Sequence, residues 1–299
     1  MNLPHVVDST MLSTYRSCPR KFFFQYVLKA KGDDESVHLH AGAAWADAME
    51  ATRLAFFDQG CSAGTAEDIG LAVLKDSWSD PLKYASETKN LKRMTEAFEY
   101  YHTQAFPLED EHAVPARAES GELMVEHGFS VPLGVCHPDG QPFIFVGRAD
   151  CVVQYAGGLW LLDDKTTGGS LGSNWSAQWA RRAQFSGYVW ALREEGVRID
   201  GVLVRGLAIQ KTQFKHQEVI SPRAQHQIAE WLEQTTHCLE DIKSQFGTMQ
   251  WRASLGESCT DYGKECAYMQ ACLSPHMRDV VDAMPKARWD PIRRIVETA

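Results

Sequence analysis

Three β-rich segments at residues 122–133, 143–155 and 159–163, enclosed on both sides by sequence with helical spacing, limit this fold more than any other feature. Short apolar or alternating runs broken by Gly and Pro turns predict consecutive strands. Strands set between helices predict one sheet with helices packed on it. Upstream, residues 8–29 offer cap residues and then apolar and aromatic positions at helical spacing, with Pro19 where a second helix can begin. Residues 39–58, 65–78 and 89–106 read as further helices, so the first third is mostly helical. Downstream, residues 176–195 return to helix and stop at Gly196. Residues 201–210 and 213–220 make two more strands, and 222–246 a long helix. The segment after Met249 is irregular and bears cysteines. The pattern predicts an α/β chain with no internal repeat.

Acidic and basic residues stand at the ends of the second and third strands. The second carries Gly147-Arg148-Ala149-Asp150 and the third ends in Asp163-Asp164-Lys165. Antiparallel pairing of the two brings Asp150 near Asp163, and two converging carboxylates repel unless a proton or a divalent cation neutralises them. Magnesium or manganese is the natural third party. Lys165 shares a strand face with Asp163, where an ammonium can orient a water or stabilise charge building on a phosphate. That set of groups suits phosphodiester hydrolysis. Asp164 points to the other face and is expected to be a solvated neighbour. On the helix that follows, Gln184 and Tyr188 stand four residues apart on one face. Gly42, Ala46 and Glu50 do the same upstream, and Glu126 lies in the first strand. Either glutamate could add an oxygen ligand.

Thirty Lys and Arg against 39 Asp and Glu give a net charge of -9, which argues mildly against a passive DNA coat. Arg16, Arg20, Lys21, Arg181 and Arg182 offer a basic rim, or simply a solvated face. The aromatics Tyr15, Phe22, Phe23, Phe24 and Tyr26 read as core more than as base-stacking groups. No secretory pattern opens the chain and no run is long enough to span a bilayer, so we expect a soluble, cytoplasmic protein without membrane partners. Eight cysteines are too sparse for a secreted disulfide scaffold. Cys259, Cys266 and Cys272 cluster near the C-terminus and read as metal ligands, with buried free thiols as the alternative. Cys61, Cys136, Cys151 and Cys238 carry no assignment, and Cys151 should face the core.

Together these motifs resemble the PD-(D/E)XK nuclease superfamily, specifically its RecB-like branch of CRISPR-associated and AddB-type iron-sulfur exonucleases. The resemblance rests on Ser13-x-Tyr15-x-x-Cys18-Pro19-Arg20-Lys21-Phe22, the helix from Gly42 to Glu50, Gly-Arg-Ala-Asp ending at Asp150, Asp163-x-Lys165, Gln184-x-x-x-Tyr188 and the terminal cysteines. It implies a restriction-endonuclease-like core, a central mixed sheet flanked by helices, within a single domain over residues 1–299. Residues 1–110 would form its helical part, 111–246 the nuclease core and 247–299 the cysteine segment. By the resemblance, Asp150 and Asp163 bind magnesium or manganese, Lys165 assists the attacking water, and Gln184 and Tyr188 support the site and the DNA. Many relatives carry a metal-binding histidine four residues after the helix glycine. Ala46 stands there in this chain, and Glu50, one turn further, is the substitute candidate. Cys18 with Cys259, Cys266 and Cys272 would hold a 4Fe-4S cluster, with zinc as the rival. The expected activity is exonucleolytic DNA hydrolysis; the alternative is a weakened or inactive DNA-binding member of the same fold. Recombination, replication or CRISPR-adaptation proteins are the implied partners, in a prokaryotic cell or a phage-infected host, and an oligomer is open.

Overall fold

The chain is described by a computed structural model covering residues 1–32, 36–260, 264–287 and 289. It divides into two compact units. The first comprises residues 1–34, 128–147 and 225–299, the second residues 35–127 and 148–224. The described helices include none long and apolar enough to cross a membrane.

The second unit holds most of the sheet. Strand β2 (Val114–Pro115) and the second half of β4 (Pro142–Tyr155) pair antiparallel, as do β4 and β5 (Gly158–Thr167). Strand β6 (Ile199–Ile209) runs parallel to β5, and β7 (Phe214–Pro222) antiparallel to β6. The β4–β5 hairpin closes through Ala156 and Gly157, both at positive φ (48° and 84°), between the paired Tyr155 and Gly158. Two consecutive positive φ values in a two-residue loop match the right-handed strand twist and fix the register. Counting back from that turn sets Cys151 opposite Leu162, which aims Asp150 and Asp163 at each other.

Helix α3 (Val37–Phe57) opens at Ser36, whose hydroxyl accepts the His38 N–H at 3.2 Å, and α4 (Ala63–Trp78) opens the same way at Ser62. Ala41, Ala44 and Ala48 keep α3 thin enough for close packing with Leu74 and Trp78 of α4 and with Met94 and Phe98 of α5 (Leu91–Tyr100). Gly70 completes that approach, since a Cβ there would fall 2.0 Å from Thr52 Oγ1. Leu207 and Ile209 of β6 join the same core, which places these helices against the sheet. Cys151 is buried among Val153, Leu162 and Leu203, as expected.

The parallel step from β5 to β6 needs a crossover, and the sequence pattern suggests one helix over 176–195. The structure breaks it. A short α6 (Ser173–Ala177) and a 3-10 turn (Gln178–Arg181) precede α7 (Ala183–Glu194), with Arg182 extended between them. The cause is the Trp179 carbonyl. It accepts Arg223 Nη2 at 2.6 Å and Ser221 Oγ at 3.2 Å, so the bond a continuous helix would take from residue 183 is not made.

In the first unit, α1 (Ser9–Ser17) is capped by Asp8, whose carboxylate accepts the Met11 N–H at 2.7 Å, and α2 (Pro19–Phe22) starts on its proline. Strand β1 (Val6–Val7) pairs parallel with Ile144 and Phe145 in the first half of β4. Strand β3 (Val125–Cys136) pairs with β4. Phe22 and Phe23 stack on Trp251 beside α8 (Gln225–Thr248), and Phe24 meets Tyr268. Those aromatics are core, as their spacing implies. Two short helices, α9 (Met269–Leu273) and α10 (Met277–Ala283), follow. Strands β1 and β2 have only two residues each, too short to leave a periodic signal.

Candidate active site

The carboxylates and cations around Asp150 and Asp163 belong to the second unit. Asp163 is 2% exposed and its Oδ1 lies 2.6 Å from the Lys165 ammonium. Beyond the Cys151–Leu162 pair the Asp150 carboxylate accepts the Asp164 N–H at 3.4 Å. The Asp150 side chain thus enters the hairpin between the two strands. Burial and then Asp150, against the pull of Lys165, push Asp163 up to about 7. Burial also raises Asp150, with Lys165 opposing and Asp164 adding to the rise. Burial works against the Lys165 charge, but Asp163 and Asp150 hold it above its ordinary range. Two acids and one ammonium in a desolvated space leave room for another positive charge.

Two more carboxylates approach. Glu126 in β3 is 5% exposed and accepts Arg148 Nε at 2.6 Å. Burial, Asp150 and Glu50 raise Glu126 to about 8, and Arg148 opposes them. Half-buried Glu50 on α3 is raised by burial and lowered by the same guanidinium. Glu126 also holds a φ of 49°, a left-handed conformation in which a residue with a Cβ is uncommon.

The reverse face corrects an expectation. Asp164 is not solvated: its side chain is 5% exposed, pairs with Arg53 of α3 and accepts the Tyr101 hydroxyl at 2.6 Å. Burial would raise Asp164, yet Arg53 and these bonds hold it below the usual carboxylate range. Arg205, 1% exposed, lies behind it on β6. Its Nη1 and Nη2 donate to both Glu111 oxygens at 2.6 and 2.7 Å, its Nε to Glu218 at 3.0 Å, and its guanidinium covers the Phe106 ring. Arg53, Tyr101 and Arg205 escape a motif search. The faint signal is an arginine at position 53 on an otherwise apolar helix face.

On α7, Tyr188 is buried and lies within electrostatic reach of Lys165. Gln184 stands half-buried one turn before it. Gly206 pairs in register with Lys165, and a Cβ on it would fall 2.3 and 2.4 Å from the Trp175 ring. Gly206→Ala should therefore lower stability by about 1–3 kcal/mol, measured by urea unfolding, because the indole has to be displaced.

The four cysteines singled out by sequence all fall in the first unit. Ser254 links two of them: its N–H donates to Cys18 Sγ at 3.5 Å and its carbonyl accepts the Cys259 thiol at 3.5 Å. The Cys266 N–H donates to the Cys259 carbonyl at 2.8 Å. Burial raises the Cys272 thiol, Arg20 opposes it, and Cys18 and Cys266 add to the rise.

Among the described residues no three His, Cys, Asp or Glu side chains converge tightly enough to cage a metal ion. Magnesium asks for less, commonly taking one or two protein carboxylates and completing its shell with water and phosphate oxygens. Asp150 and Asp163, both raised first by burial, with Asp150 adding to the rise at Asp163, fit that mode.

No curated protein sequence matches the chain. Among solved structures, a protein from Eubacterium rectale provisionally assigned as an exonuclease superposes with a TM-score of 0.53 at 10% identity, over 97% of this chain and 92% of that one. The crystal structure of SSO0001 matches with a TM-score of 0.36 at 13% identity, over 92% of this chain and 88% of that one. The first likeness supports the mixed α/β fold. The family model of the PD-(D/E)XK nuclease superfamily matches residues 9–273, nearly the whole chain, and to that superfamily the chain belongs.

Proposed function

We propose that the chain is a divalent-metal-dependent DNA nuclease of the RecB-like branch, acting as an exonuclease on DNA ends or single strands. The observation that carries this reading is buried Asp163 with half-buried Asp150 beside the Lys165 ammonium. Asp150 and Asp163 would hold magnesium or manganese, with Glu50 as a further oxygen donor. The metal supplies Lewis acidity toward a phosphate oxygen and an activated water. Lys165, kept cationic by its acids, orients the attacking water and stabilises charge developing on the phosphate. Tyr188 limits solvent around that ammonium, and Gln184 extends the same helix face toward the DNA.

Degradation of end-labelled single- and double-stranded DNA with magnesium or manganese tests the reading. Metal-dependent cleavage abolished by Asp163→Ala and by Lys165→Ala supports it, and the label pattern gives polarity. One observation favours a second reading, a weakened or inactive DNA-binding member: Ala46, one turn before Glu50 on α3, offers no ligand where the family resemblance implies a histidine. DNA binding without cleavage by the intact wild type would select it.

We also propose that Cys18, Cys259, Cys266 and Cys272 hold a 4Fe-4S cluster that ties distant parts of the chain together without entering the chemistry. The linkage through Ser254 supports it. Anaerobically purified protein is expected to be brown and to contain iron. Colourless protein with stoichiometric zinc would assign the site to zinc instead.

A further inference from the structure

We infer that Arg148 is a phosphate-binding residue for the substrate strand and that Glu126 positions it. This deepens the nuclease reading and rests on it. Arg148 precedes Asp150 by two residues, so it shares that face of β4, just as Lys165 follows Asp163 by two on β5. Each acid of the pair thus has a cation one strand period away. The two cations are held differently. Lys165 spends its charge on Asp163 at 2.6 Å. Arg148 pairs with Glu126, whose Oε2 lies 2.6 Å from its Nε. Among the described residues its two Nη groups form no hydrogen bond, and the side chain is 20% exposed.

A guanidinium fixed at one edge presents the other as a flat fork, the geometry that matches two phosphate oxygens. The cost of holding it is visible at Glu126. That residue is buried near Asp150 and Glu50, two groups of its own charge, in a backbone conformation unfavourable for any side chain. Such local strain persists where surrounding structure enforces it, and it clusters at functional sites. The ion pair alone would not require Nη groups without a hydrogen bond among the described residues on a side chain that keeps 20% of its surface exposed, two residues from Asp150 on β4. A phosphodiester whose oxygen sits at the Asp150–Asp163 pair would bring its neighbouring charge to that edge.

The test scans neutral methylphosphonate replacements, one at a time, along a fluorescent single-stranded oligonucleotide. Binding is followed by anisotropy with calcium as the only divalent ion. In the wild type one position near the bound end should cost about tenfold or more in affinity, the loss of a charge-assisted contact. Arg148→Gln should show no penalty at that position and a salt dependence of binding shallower by about 0.7 in log–log slope. A purely structural role would move neither in this way. Arg148→Lys provides a second variant if the glutamine form does not fold. Its point charge should leave a smaller penalty at the same position. Penalties in both variants equal to the wild type's at every position would overturn the assignment while leaving a wild type that binds and cuts DNA intact as a nuclease. A wild type that neither binds nor cuts DNA would defeat both readings together.

Discussion

Asp163→Asn is expected to lower DNA cleavage by about a thousandfold or more, yet leave the metal-free protein at pH 8 no less stable than the wild type. The first effect follows from losing one of two carboxylates available to a cation and the partner that fixes Lys165. The second follows from the sign of the shift. Asp163 sits at about 7 in the folded protein, above its ordinary value of 3.8. Between those values the folded state holds a proton that the unfolded state has released, so stability is greatest at low pH and falls as pH rises through the window. Above it the wild type carries a buried negative charge facing Asp150, and the amide does not. Single-turnover cleavage and thermal melts with and without magnesium read the two effects separately. A variant that melts well below the wild type at pH 8 would show that the Lys165 pair outweighs the repulsion.

The largest stability effect is expected at Arg205→Met, about 3–5 kcal/mol. Removing this cation leaves Glu111, whose side chain is 8% exposed, with only the Ala113 N–H to compensate its burial, and leaves Glu218 without its Nε donor. Methionine fills much of the same space, so the cost reports the stranded carboxylate more than a cavity. Pairing Arg205→Met with Glu111→Leu should recover part of the loss, since an apolar pair needs no counter-charge, while the Ala113 N–H loses its acceptor and Glu218 its guanidinium. Urea midpoints of the two single variants and the double variant give the coupling directly. A single variant within 1 kcal/mol of the wild type would contradict this account.

The three-strand meander, the helices before it and the two aspartates with their lysine were legible because each leaves a local signature. Alternation marks a strand, and a charge inside an apolar run marks an exception to it. The register that brings Asp150 to Asp163 was inferable only as a hairpin; the turn at Ala156 and Gly157 makes it specific. What stayed hidden depends on partners distant in sequence. Asp164 reads as an ordinary surface acid until α3 delivers Arg53 and the segment after α5 delivers Tyr101. The break before α7 was hidden for the same reason, because Arg223 claims the Trp179 carbonyl from far along the chain. Glu126 was legible as a candidate oxygen donor, but its grip on Arg148 was not.

The Asp164–Arg53 pair has a consequence for the neighbouring helix. Arg53 lies three residues after Glu50 on α3, less than one turn away, so anchoring its guanidinium to β5 sets both the rotation and the height of that helix over the strand. The middle letter of the Asp-x-Lys motif, which a pattern search leaves blank, therefore acts as a detent. It ties to β5 the helix that carries Glu50, the carboxylate near Arg148 and Glu126, so changing Asp164 would release that helix from the strand.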